Sequence, residues 1–181
     1  MHAINAFEAQ ILIWLQSVLG CPFLDAVAKA LSWLGDHGRV FILLAVILLC
    51  FKKTRVLGAV LALALILDLM VVNMVIKPLV ARIRPYDFDS AIRIIIAPPG
   101  DFSFPSGHTA VAFAAAASLG SLCKKARVPA FAFASLMGLS RIYLMVHYPS
   151  DVLAGAVLGS LCGLLAVFLW KMFENRDKIK G

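Results

Sequence analysis

Five stretches of this sequence carry no charged residue: 40–51, 56–67, 109–123, 128–140 and 152–170. Hydrocarbon offers no partner to a free amide, so runs of this kind fold as helices when they enter a bilayer. Several fall short of the roughly 20 residues that a crossing needs. Each must therefore borrow polar neighbours whose side chains face the inside of a bundle. Hydrophobic types make up 62% of the chain, against about 45–50% apolar usage in soluble domains. The expectation is an all-α, polytopic membrane helical bundle of about six transmembrane helices, forming a single domain over residues 1–181.

The net charge of +7 is not laid out as a basic stripe with interleaved aromatics, which argues against nucleic acid as a partner. Three cations sit at Lys52, Lys53 and Arg55, three at Lys124, Lys125 and Arg127, and four more between Lys171 and Lys180. The positive-inside rule makes these segments cytoplasmic. Alternating the spans between them sends the segments around 77–108 and 141–151 to the extracytoplasmic side of the cell membrane. Cys21, Cys50, Cys123 and Cys162 are too scattered for a disulfide frame or zinc site and are expected to be buried apolar side chains.

The region 1–36 holds two amphipathic pieces. Ile4, Phe7, Ile11, Leu15 and Val18 recur at helical spacing with Asn5, Glu8 and Gln16 on a polar side, as in a helix near the interface. No removable leader is expected. A second piece, 23–34, places Asp25 and Lys29 for an i,i+4 pair, and Gly35 to Gly38 breaks it. Gly155, Gly159 and Gly163 form a small-residue stripe on the last span, suited to packing within the bundle. The tail 174–181 reads as loose and cytoplasmic.

Polar residues gather where the extracytoplasmic ends of the spans meet. Lys77 ends one helix, and Arg84 follows just before Pro85, which biases its backbone away from helix. Alone, Lys77, Arg82 and Arg84 read most simply as cations snorkelling to lipid headgroups. Pro105-Ser106-Gly107-His108 precedes an alanine-rich helix: Ser106 is placed to cap it, and Gly107 lets an anion approach the free amides. An ordinary cap with an interfacial histidine fits equally well. Arg141 needs an anionic partner where hydrocarbon ends. His147 comes within reach of Asp151 if the Tyr148-Pro149-Ser150 turn folds back. Asp68 is expected to make a polar packing contact and Asn73 to support Lys77.

Together these residues form three blocks: Lys77, six residues, Arg84-Pro85; Pro105-Ser106-Gly107-His108; and Ser140-Arg141, five residues, His147, three residues, Asp151. In this pattern the chain resembles the type 2 phosphatidic acid phosphatase superfamily of membrane lipid phosphatases. The resemblance covers 77–151, the catalytic blocks. It implies His147 as nucleophile, Asp151 as its orienting partner and His108 as the acid. It also implies Lys77, Arg84, Ser106, Gly107 and Arg141 as phosphate ligands, with no metal and no cofactor.

The implied partner is a lipid phosphate in the bilayer. Resemblance to small bacterial members puts undecaprenyl diphosphate first and phosphatidylglycerophosphate or phosphatidate second. A channel or transporter would also bury such groups, but near mid-membrane, where only Asp68 lies. The segment 86–104, with Ile94-Ile95-Ile96 and Pro98-Pro99-Gly100, reads either as a gate for lipid or as a connecting loop whose isoleucines dip into the interface.

Overall fold

The computed structural model describes the backbone of residues 2–180 and the side chains of 2–175. Most of the 174–181 tail thus lies outside the described side chains. The helices are α1 (His2–Leu19), α2 (Pro22–Gly35), α3 (Arg39–Cys50), α4 (Arg55–Asp68), α5 (Lys77–Val80), α6 (Pro85–Phe88), α7 (Gly107–Leu122), α8 (Lys124–Tyr143) and α9 (Pro149–Lys180). A 3₁₀ turn, Asp36–Gly38, joins α2 to α3, and a π-helical segment, Leu69–Ile76, joins α4 to α5. The fold is all-helical. Pro22–Cys50, Arg55–Phe88 and Pro149–Asn175 are each long and apolar enough to cross a membrane.

α7 is the central post. Its alanines at 110, 112, 114, 115, 116 and 117 are all buried, so neighbouring helices approach it from several sides. α9 packs closely along it because of the glycine stripe. A Cβ on Gly159 would lie 2.0 Å from the Ala110 carbonyl oxygen, one on Gly163 2.4 Å from that of Ala114, and one on Gly155 2.6 Å from that of Ser106. The stripe serves packing inside the bundle, as expected. On the opposite side, Phe41, Ala45 and Leu61 close over Ala112, Ala115 and Ala116, with Ala134 and Met137 from α8. Leu43, Ile47, Leu161 and Phe168 point outward, as lipid-facing side chains do.

Three details differ from the sequence reading. α1 is amphipathic with its polar side inward: Asn5 and Glu8 are buried while Ile4, Phe7, Trp14 and Val18 are exposed. Against hydrocarbon, the polar face of a helix is the one that needs cover. Asp25 accepts a hydrogen bond from the Tyr143 hydroxyl at 2.6 Å, and no pair with Lys29 forms. Cys21 and Cys50 are exposed, Cys123 is half-buried and only Cys162 is buried; all four are free thiols.

Candidate active site

The chain between α4 and α6 is shaped to turn cations inward. α4 widens into the π segment before Lys77, a geometry often found at functional sites. α5 ends at Ala81, whose left-handed φ of 47° reverses the chain. Arg84 then adopts the extended backbone that the following proline favours. Lys77, Arg82 and Arg84 are 6%, 5% and 3% exposed, so none of them snorkels.

Lys77 and Arg84 converge on Asp101. The Lys77 ammonium pairs with Asp101 Oδ2, and Arg84 Nη2 donates to Oδ1 at 2.5 Å while its Nε donates to the Asp101 carbonyl at 2.8 Å. Burial favours a protonated Asp101, but the two cations outweigh it and hold the carboxyl at about 2. Arg84 Nη1 donates to the Val146 carbonyl at 2.7 Å and lies 3.4 Å from His147 Nε2. Arg141, from the last turn of α8, donates to Ser32 Oγ at 2.6 Å; its Nε is buried without a partner.

His147 sits in the turn between α8 and α9, 2% exposed. The turn does fold back: Asp151 Oδ2 accepts the Tyr148 N–H at 2.9 Å and lies 3.6 Å from His147 Nδ1. The same oxygen accepts the Ser103 hydroxyl at 2.5 Å. Burial, resisted by Asp151 and reinforced by Arg84 and Arg141, pushes the imidazole down to about 3. It is therefore neutral at pH 7, with Nε2 turned toward the cations.

Gly107 opens α7 against Lys77. A Cβ there would lie 2.9 Å from Asn73 Oδ1, so the Asn73 side chain would have to shift, and 3.7 Å from Lys77 Nζ, an ordinary contact. Asn73 thus stands beside Lys77, although no hydrogen bond joins them. Ser106 occupies the N-cap position without capping. Its hydroxyl is fully buried and accepts from Thr109 Oγ1 at 2.9 Å, while its N–H donates to the Asp151 carbonyl at 3.0 Å. It ties α7 to α9 and does not line the cavity described next.

Lys77, Arg84, Arg141, Gly107, His108 and His147 share one cavity of about 1070 Å³. It runs away from them between α3 and α4, past Ile42, Ala45, Val46 and Leu49 on one side and Ala62, Leu65 and Ile66 on the other. A cluster of cations and imidazoles thus opens onto an apolar groove. Asp68 also lines it, 1% exposed and with Oδ1 unpartnered, so the expected polar packing contact is not made. Ile94, Ile95 and Ile96 pack over Ala28, Leu144 and Val146 instead of dipping outward. Ile96, Pro99, Gly100 and Asp101 form part of the cavity wall. Among the described residues no group of His, Cys, Asp and Glu is arranged to hold a metal ion.

Sequence reasoning missed Arg82 and its partners. Arg82 Nη1 donates to Asp151 Oδ1 at 2.5 Å and to Ser150 Oγ at 2.7 Å. Nη2 donates to Glu8 Oε2 at 2.7 Å and to Asn5 Oδ1 at 2.7 Å. The guanidinium also stacks 4.0 Å over the Tyr148 ring. The sequence signal was Asn5 and Glu8, three apart on the polar face of α1.

The all-helical bundle holds buried cations, an imidazole and a carboxylate at the head of an apolar groove, a setting suited to a phosphate ester with an apolar tail. Comparison with known proteins agrees. The family model of the PAP2 superfamily matches residues 54–177. An undecaprenyl-diphosphatase of Sulfolobus acidocaldarius is 33% identical over 138 residues, 75% of this chain and just under two thirds (66%) of the relative. The crystal structure of Aquifex aeolicus LpxE superposes with TM-score 0.75 at 30% identity, covering 87% of this chain and 93% of that one. That of a transmembrane PAP2-type phosphatidylglycerolphosphate phosphatase from Bacillus subtilis gives 0.73 at 28% identity, covering 96% and 85%. The chain belongs to the PAP2 superfamily. The transporter alternative falls away.

Proposed function

We propose that the protein removes the terminal phosphate of undecaprenyl diphosphate, releasing undecaprenyl phosphate and inorganic phosphate at the extracytoplasmic face of the cell membrane. The observation that carries this reading is the continuity of the cation cluster with the groove between α3 and α4. A phosphate seated among Lys77, Arg84 and Arg141 leaves its tail in apolar surroundings. The likeness to a relative named undecaprenyl-diphosphatase supports the diphosphate, and the placement of Lys52, Lys124 and Lys171 supports the orientation.

In the first step the lone pair of His147 Nε2 attacks phosphorus, the bond to the leaving oxygen breaks, and that oxygen takes a proton from His108. Asp151 stabilises the ring as it becomes cationic, through Nδ1–H. Lys77, Arg84, Arg141 and the Gly107 N–H hold the three non-bridging oxygens, whose charge they stabilise in the transition state. In the second step water attacks phosphorus and gives a proton to His108. The P–N pair returns to Nε2, and phosphate leaves. No step needs a metal ion.

Phosphate release by the purified full chain tests the substrate, with undecaprenyl diphosphate, phosphatidylglycerophosphate, phosphatidate and lipid A compared side by side. The expected order puts the prenyl diphosphate first by kcat/KM. A clear preference for phosphatidylglycerophosphate, the substrate named for the Bacillus subtilis neighbour, overturns the choice of lipid.

A further inference from the structure

His108 makes all of its hydrogen bonds through one nitrogen. Nε2 lies 3.0 Å from Asp36 Oδ1 and 3.2 Å from the Ser32 carbonyl oxygen. Two acceptors at one ring nitrogen require that nitrogen to carry the proton. Nδ1 takes no part in these bonds, and the ring lines the cavity that holds Lys77, Arg84, Arg141 and His147. Asp36 belongs to none of the three sequence blocks; it comes from the turn between α2 and α3, 72 residues away.

The turn is built to reach the ring. Asp36 closes α2, its N–H donating to the Ser32 carbonyl that also faces His108. His37 and Gly38 both take left-handed backbone, φ 55° and 68°, which for histidine is strained. A Cβ on Gly35 would lie 2.5 Å from His108 Cδ2. The end of α2 is therefore pressed edge-on against the imidazole, at a point where no side chain fits.

We propose that Asp36 is the positioning residue of the acid: it holds His108 by Nε2–H, so that Nδ1 is the atom that gives its proton to the leaving oxygen. The arrangement repeats, with the nitrogens exchanged, the support that Asp151 gives His147. In the first half-reaction the Nδ1–H bond breaks, its electron pair stays on the ring, and the leaving oxygen takes the proton as the P–O bond opens. In the second, Nδ1 recovers a proton from the attacking water. The Nε2–H bond to Asp36 persists through both; the ring is neutral between them, and the carboxylate favours the charged form that precedes the first and follows the second. This inference rests on His108 being the acid.

Leaving-group dependence tests it, because a merely structural residue slows good and poor leaving groups alike. The purified full chain, Asp36→Asn, Asp36→Glu and His108→Ala are compared by kcat/KM, which covers phosphoryl transfer, on aryl phosphates of matched size from dinitrophenyl to phenyl. General acids contribute about 10²–10⁴-fold. His108→Ala is expected to lose on that order with phenyl phosphate and little with dinitrophenyl phosphate. Asp36→Asn is expected to show the same slope with a smaller loss, about tenfold or more on the phenyl ester, and Asp36→Glu to recover part of it. If Asp36→Asn does not fold, Asp36→Ser carries the comparison. A steep His108→Ala series beside a uniform loss in the Asp36 variants overturns the inference and leaves the acid standing. A flat His108→Ala series overturns both.

Discussion

Arg82 Nη1 lies 2.5 Å from Asp151 Oδ1, the carboxylate oxygen that does not face His147. One oxygen of Asp151 is thus clamped from α1's side of the bundle, while the other accepts from Ser103 and the Tyr148 N–H and lies 3.6 Å from His147 Nδ1. The clamp is buried throughout: Glu8, Arg82 and Asp151 are 6%, 5% and 0% exposed.

Arg82→Met strands two buried carboxylates and is expected to cost about 3–5 kcal/mol of stability, the range for breaking a buried pair. Thermal unfolding in detergent measures it. Arg82→Lys keeps the charge but loses the fork that serves Asn5, Glu8, Ser150 and Asp151 together. We expect kcat to fall about ten- to a hundredfold, roughly 1.4–2.8 kcal/mol on the barrier. A fully active Arg82→Lys enzyme would mean that the clamp does not tune the dyad.

Asp101 bridges Lys77 and Arg84; if these two cations bind the phosphate, as proposed, it competes with the substrate. Its folded value of about 2 lies below the ordinary 3.8. The sign is that of a stabilised carboxylate: its contribution is complete above about pH 4 and is lost as pH falls through 2. Competition is accordingly constant from pH 4 to 8. Asp101→Asn should tighten inhibition by inorganic phosphate by about tenfold, from the 1.5 kcal/mol or more of a charged hydrogen bond. Weaker inhibition would instead make Asp101 a support for Lys77 and Arg84.

His147, pushed down to about 3 from an ordinary 6.5, favours the fold in its neutral form. That contribution is complete above pH 6.5 and drains away as pH falls toward 3. Nitrogen NMR of histidine-labelled protein should show a neutral His147 ring at pH 5. An imidazolium at pH 6 would contradict the buried site.

The α7–α9 contact is set by backbone, which cannot move aside for a new side chain. Gly159→Ala places a methyl 2.0 Å from the Ala110 carbonyl. It should destabilise by about 1–3 kcal/mol or more, lowering both Tm and activity, because α7 carries His108 and α9 carries Asp151. Gly100→Ala, with open space around it, serves as the neutral control for Tm.

The helical bundle and the three blocks were legible because their signals are local: apolar runs without charge, a proline after Arg84, a glycine before His108. What could not be read is what folding brings together from afar. Asn5 and Glu8 meet Arg82 across more than 70 residues, and Asp36 meets His108 across a similar gap. Ser106 was misassigned for a related reason. Its position before α7 suggests a cap, but close packing against Asp151's backbone leaves its hydroxyl only Thr109 as partner. The polar side of α1 was legible as a pattern, but not that Asn5 and Glu8 on it turn inward to be buried.

The most direct test of the covalent route is exchange of oxygen-18 between inorganic phosphate and water, catalysed by the purified protein without any lipid acceptor. Reversible transfer of phosphate to His147 Nε2 predicts that the wild-type protein scrambles the label and that His147→Ala does not. If the wild-type protein hydrolyses its lipid substrate and binds labelled phosphate yet leaves its oxygens unexchanged, reversible transfer to His147 is contradicted.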